Sequence, residues 1–186
     1  MNVNKKTSTI AKLGVLGAIS LVLVAIIHIS IFPAVAFLEY DPADVPILLA
    51  TFSMGPWAGF ALTIVVSLIQ GFTVSAASSW YGIVMHVIAT GAYVAVAGTI
   101  YKKHKSKKTA IIALIAGTAA MTLVMIPANL GLTPIYLQMV GVPAEAALPT
   151  VKTLLGWIVL FNFIKAGINS VLTFVLYKRV SGILHR

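Results

Sequence analysis

Asn162, Lys165 and Asn169 lie three and four positions apart inside an apolar run that extends from Trp157 to Tyr177. That spacing places all three on one face of a helix. Two amides and an ammonium offer both donors and acceptors, a set suited to a neutral, flat, hydrogen-bonding ligand with an apolar face. Counted from Trp157 at helical rise, Asn162 is about 8 Å and Lys165 about 12 Å along the run. If the run crosses a bilayer, a lysine at that depth costs about 2.5–3.5 kcal/mol on insertion scales. It must then face protein or water, or snorkel outward along its own stem. The two asparagines on its face favour the first.

A second concentration of polar chemistry occupies the segment FLEYDPADVP, residues 37–46. It holds Glu39, Asp41 and Asp44, three of the four acids in the chain; the fourth, Glu145, lies in another polar gap. Glu39, Asn129, Asn162 and Lys165 are expected to converge on one cavity walled by Leu38, Tyr40, Tyr81 and Met85, with Asn169 on the same helical face. An ion site is the weaker reading, because it would need several carboxylates or carbonyls and only Glu39, Asp41 and Asp44 are near. The sequence has no H-E-x-x-H, no G-x-S-x-G, no cysteine and no G-x-x-x-x-G-K-[ST] loop. Those are the common carriers of hydrolytic, thiol and ATP chemistry. The histidines at 28, 86, 104 and 185 are too scattered to read as a metal set. No catalytic residue, cofactor or metal is therefore expected.

The elements that must position these groups are membrane helices. Of 186 residues 60% are hydrophobic and 9% charged, well beyond the roughly 45–50% apolar share of soluble domains. One integral membrane domain over residues 1–186 is the reading. The net charge of +9 is explained by topology rather than nucleic acid. Lys5, Lys6 and Lys12, then Lys102, Lys103, Lys105, Lys107 and Lys108, then Lys178, Arg179 and Arg186 form three groups that the positive-inside rule assigns to the cytoplasm.

In chain order, the first span is expected from Thr9 to Ile31, too long for the apolar core of a signal peptide. Its small residues Gly14 and Ala18 permit close approach of another helix. The region 45–70 is tempting as one helix. Parity argues for two crossings with an inner turn at Gly55-Pro56, since a single crossing would put the five-lysine group on the wrong side. The first of these crossings is then only about 14 Å long at helical rise, so the acidic loop has to dip into the outer half of the membrane. Backbone at that depth must be buried by protein or line a cavity. Further spans are expected at Trp80–Tyr101, from Thr109 to about Ala128, and at Trp157–Tyr177. The fold class is thus an all-α membrane protein with six transmembrane helices, a short second helix and both termini cytoplasmic. Loops 32–44 and 130–150 cover a pocket on the extracellular side.

With Tyr40-Asp41-Pro42-Ala43-Asp44, Gly55-Pro56, Met85-His86, Pro127-Ala128-Asn129 and the Asn162/Lys165/Asn169 pattern in view, nearly the whole chain resembles a known family. It is similar to the riboflavin-specific S components of energy-coupling factor (ECF) vitamin transporters. The resemblance implies a non-enzymatic, multi-pass subunit of the bacterial cell membrane that captures riboflavin from outside. It further implies a transmembrane coupling subunit and two cytoplasmic ATPases as partners. Asn129, Asn162 and Lys165 would hydrogen-bond the flavin ring, with Glu39 and its loop nearby. The family's Ala-x-x-x-Ala docking motif stands here as Gly14-x-x-x-Ala18. Rival readings are an S component for another vitamin, and a stand-alone secondary transporter, whose usual internal repeats the sequence lacks.

Overall fold

The computed structural model describes residues 5–184 and is nearly all helical. His185 and Arg186 lie outside the described residues. Six helices follow one another: α1 (Lys5–Ile26), α2 (Asp44–Met54), α3 (Pro56–Phe72), α4 (Ser79–Lys103), α5 (Lys107–Met139) and α6 (Ala144–Leu184). Four of them, α1, α4, α5 and α6, are long and apolar enough to cross a membrane by themselves, while α2 and α3 are shorter apolar helices.

The turn between α2 and α3 falls where expected. Gly55 adopts φ 100° and its N–H closes α2 onto the Thr51 carbonyl, while Pro56 opens α3 at a position where a missing N–H costs nothing. α2 is apolar on all sides, and such a helix belongs in the interior. It packs against α1, α3, α4 and α6, and every residue from Tyr40 to Phe52 is buried. At 11 residues it is about 16 Å long, half a bilayer, so the segment before it completes the depth.

That segment is more ordered than a plain loop over 32–44. α1 ends at Ile26, five residues short of the expected Ile31, because the chain turns into a two-stranded antiparallel hairpin. β1 (Ile29–Ser30) pairs with β2 (Glu39–Tyr40), and a short 3-10 turn at Pro33–Val35 lies between them. Pairing the strand backbones satisfies polar groups that the apolar surroundings would leave unmet.

The largest correction concerns the second expected loop. Residues 130–150 are mostly helix: α5 continues through Pro127 and Pro134 to Met139, and α6 already starts at Ala144. Proline in a packed membrane helix is tolerated where neighbours re-satisfy the freed carbonyl. The true stop is Gly141, with φ 99°, where Val142 N–H bonds Leu137 O and Gly141 N–H bonds Gln138 O. This is the left-handed C-cap that glycine permits, and Pro143 follows it. At 33 and 41 residues, α5 and α6 measure about 50 and 60 Å, so both extend beyond a 30 Å hydrocarbon core.

Close helix approach rests on small residues. A side chain at Gly117 of α5 would run into the ring of the fully buried Tyr93 of α4, and one at Gly59 of α3 would meet Thr51 and Val94. Gly131, by contrast, faces open space. Gly117→Val is expected to destabilise the folded chain by about 1–3 kcal/mol through overpacking. Gly131→Ala should leave stability unchanged or raise it by up to about 1 kcal/mol. Thermal melts of the detergent-solubilised variants measure both.

Candidate functional site

Lys165 has a buried partner, and it is Asp41. The ammonium donates to Asp41 Oδ2 at 2.6 Å, with both side chains about nine-tenths buried. Asp41 Oδ1 accepts the Ala43 N–H at 3.0 Å, which fixes the turn leading into α2. Three positions on, the fully buried Asp44 accepts from Thr90 Oγ1 at 2.8 Å and pairs with His86 Nε2 at 3.1 Å, both on α4. Its other oxygen accepts Asn169 Nδ2 at 3.1 Å, and Tyr40 donates to Asn169 Oδ1 at 3.1 Å. Ser20 of α1 donates to the Ala43 carbonyl at 2.8 Å. Five consecutive residues, Tyr40 to Asp44, thereby tie α1, α4 and α6 together. Asp44 also sits in the first turn of α2, where the helix dipole favours negative charge.

Above this network lies a cavity of about 510 Å³, within the size range of small-molecule sites. Of the residues selected from sequence, Leu38, Glu39, Tyr81, Met85, Asn129, Asn162 and Lys165 line it. Glu39 is exposed and belongs to β2. Tyr40 and Asn169 are placed behind the lining, in the Asp41–Asp44 network. Gly14 and Ala18 are far from it on the exposed side of α1. Asn129 and Asn162 are held by their own helices, each Nδ2 donating at 2.8 Å to the carbonyl four residues earlier, Met125 and Ile158. Asn129 Oδ1 accepts from Thr133, which also bonds the Tyr81 hydroxyl at 2.7 Å. Tyr81 in turn stacks on Tyr136 with ring centroids 4.3 Å apart. Buried amides beside aromatic faces can hold a planar heteroaromatic ring by its edge and its face.

Sequence reasoning missed Asp41 as the group that pairs with Lys165 and Asp44 as the carboxylate that joins α4 to α6, giving that side of the cavity to Glu39 instead. It also missed Ser67, Gln70, Ser75, Ser78, Tyr136 and His86 on the lining. The signal for the carboxylates was available: a lysine inside a membrane needs a counter-charge, and Asp41 and Asp44 are two of only four acids. Nothing local marked the α3 residues. Among the described residues, no group of three or more His, Asp or Glu is placed to hold a metal ion.

Fold and cavity together define a helical membrane protein built to enclose a small ligand at the end of its bundle where the α1–α2 hairpin and the α3–α4 turn meet. The sequence matches the model of the family described as ECF transporter, substrate-specific component, over residues 8–177. The chain belongs to that family. It is 32% identical over 188 residues to the riboflavin transporter RibU of Staphylococcus aureus (strain TCH60), covering 100% of this chain and 95% of that protein. It is 30% identical over 148 residues to the riboflavin transporter FmnP of Bacillus subtilis (strain 168), covering 77% of each. A solved S component of a bacterial ECF transporter superposes with a TM-score of 0.81 at 30% identity, covering 98% of this chain and 100% of that one.

Removing one member of a buried ion pair strands the other. Lys165→Met and Asp41→Asn should each destabilise the chain by about 3–5 kcal/mol, while the double variant recovers most of that loss. Melting the three variants beside the parent protein measures the coupling.

Proposed function

We propose that this chain is the riboflavin-capturing subunit of an ATP-driven ECF-type importer. The observation that carries the reading is the convergence of Asn129, Asn162 and Lys165 on one cavity, in a chain whose relatives, one over its whole length and one over 77% of it, are named riboflavin transporters. The ring of the vitamin lies against Tyr81 and Met85. Its polar edge meets the asparagine amides and the protons of the Lys165 ammonium that Asp41 does not engage, with Glu39 and Leu38 closing the mouth. Asn169 and Tyr40 act from behind by holding the segment that carries Asp41.

The end of the bundle with the α4–α5 connection faces the cytoplasm, and both termini share that side. Its five exposed lysines, Lys102, Lys103, Lys105, Lys107 and Lys108, support this orientation through the positive-inside rule. The cavity then opens outward. Energy for import comes from partners, a membrane coupling subunit and two cytoplasmic ATPases. α1 is the docking helix, since Gly14 is exposed with open space around it and Ala18 is exposed one turn further on.

Titration of the purified protein with riboflavin, followed by quenching of flavin fluorescence, tests the assignment. Saturable quenching is expected, and Asn162→Ala should weaken it by about 1–3 kcal/mol, the cost of leaving a ligand group unmatched. A titration without quenching overturns the riboflavin reading. Vesicles containing this chain alone should show no concentrative uptake under an ion gradient; uptake there would favour the secondary-transporter reading instead.

A further inference from the structure

Basic residues that lie far apart in the sequence are gathered by the fold at the end of the bundle away from the cavity. Lys102 and Lys103 close α4, Lys105 lies in the connection 104–106, and Lys107 and Lys108 open α5; all five side chains are exposed. Tyr101, which precedes them, meets Tyr177 of α6 edge to face with ring centroids 5.7 Å apart, and both rings pack on Phe52 near the end of α2. That contact brings the exposed Lys178 and Arg179 to the same level. The five lysines and this pair form one basic rim.

No acidic side chain answers the rim. The only acids in the chain are Glu39, Asp41, Asp44 and Glu145. Asp44 reaches α4 at His86 and Thr90, and Thr90 is about 18 Å from Lys102 at helical rise. Asp41 is engaged by Lys165, about 20 Å along α6 from Lys178. Glu145 stands in the first turn of α6, at the opposite end of that helix. These separations exceed the Debye length of about 8 Å at physiological ionic strength, so the charge of the rim is left for something outside the chain to balance.

The depth of the rim says what that is. Ile111, Ile112 and Ile115 of α5 are exposed, so apolar outer surface begins about 5 Å past Lys108. Trp57, at the opening of α3, is 81% exposed, and tryptophan settles at the membrane–water interface. Its neighbour Pro56 lies against Gly98, one turn of α4 before Lys102. Lysine and arginine stems can lie along such a surface while their charged heads stand at the level of lipid phosphates.

We propose that this rim is a binding surface for anionic phospholipid, whose phosphodiester groups supply the counter-charge that the chain omits. Clustered Lys and Arg beside a transmembrane helix attract acidic headgroups in this way. An acidic face of another protein could balance the charge as well, but the exposed isoleucines and Trp57 put headgroups, and not a protein, beside the rim. The surface is separate from the cavity and does not rest on the riboflavin reading.

The test uses Trp57 as reporter in the full-length chain carrying Trp80→Phe and Trp157→Phe. This protein is reconstituted into vesicles of phosphatidylcholine and phosphatidylglycerol in which one lipid or the other bears bromine, a tryptophan quencher, on its acyl chains. Brominated phosphatidylglycerol is expected to quench Trp57 as though enriched about twofold or more over its bulk share. The enrichment should vanish at about 1 M salt, where the Debye length falls to about 3 Å. Replacing Lys102, Lys103, Lys105, Lys107 and Lys108 together by Gln should abolish it, and replacing them by Arg should preserve it. Equal quenching by the two lipids, or enrichment that survives high salt or the Gln replacements, overturns the lipid surface and leaves the lysines to orientation or to an acidic protein partner. The salt comparison is made with the rim intact, so it decides the matter even where a variant fails to fold. Both leaflets of the vesicles have one composition, so the result holds for either orientation of the chain.

Discussion

The ion pair between Lys165 and Asp41 is the constraint on which the rest of the structure depends. An ammonium inside an apolar bundle must find a counter-charge or retreat to the interface. Here the partner comes from 124 residues away in the chain. To deliver it, the segment before α2 has to enter the bundle, and it can do so only because its own polar groups are met on the way. The short β1–β2 ladder, the Asp41–Ala43 turn and the Ser20 bond to Ala43 O perform that task.

Asp44 extends the same logic to α4. Its carboxylate is fully buried, and three donors from two helices surround it. Hydrogen-bonded charge of this kind contributes less to net stability than to choosing one arrangement among several, since a misplaced helix would leave an unmet carboxylate in a low-dielectric interior. The network therefore fixes how α1, α4 and α6 stand around α2, and so the shape of the cavity above it. A ligand held by Lys165 touches the network directly, which connects occupancy of the cavity to the segment that forms part of its wall.

Much of this was legible in the residues themselves. Hydrophobic share and lysine grouping identified a membrane protein. The parity of the basic clusters required a turn at Gly55-Pro56, and that turn is present. The three- and four-residue spacing of Asn162, Lys165 and Asn169 did put them on one face, with Asn162 and Lys165 in the cavity and Asn169 just behind it. The end of α5 was misjudged because Pro127 and Pro134 read as helix breakers. Inside a packed membrane helix their effect is absorbed, and the glycine that can adopt positive φ, Gly141, sets the boundary.

The sequence by itself determined the class of protein, the order of its helices and the need for protein or water around Lys165. Those follow from transfer energies and periodicity, which act residue by residue. Tertiary structure alone decided that the partner is Asp41 and not Glu39. It also decided that Asn169 and Tyr40 stand behind the cavity, and that α3 contributes Ser67 and Gln70 to its lining. Each of these depends on which helix faces meet, and that is set by the packing of Gly59, Gly117 and their neighbours across elements distant in the chain.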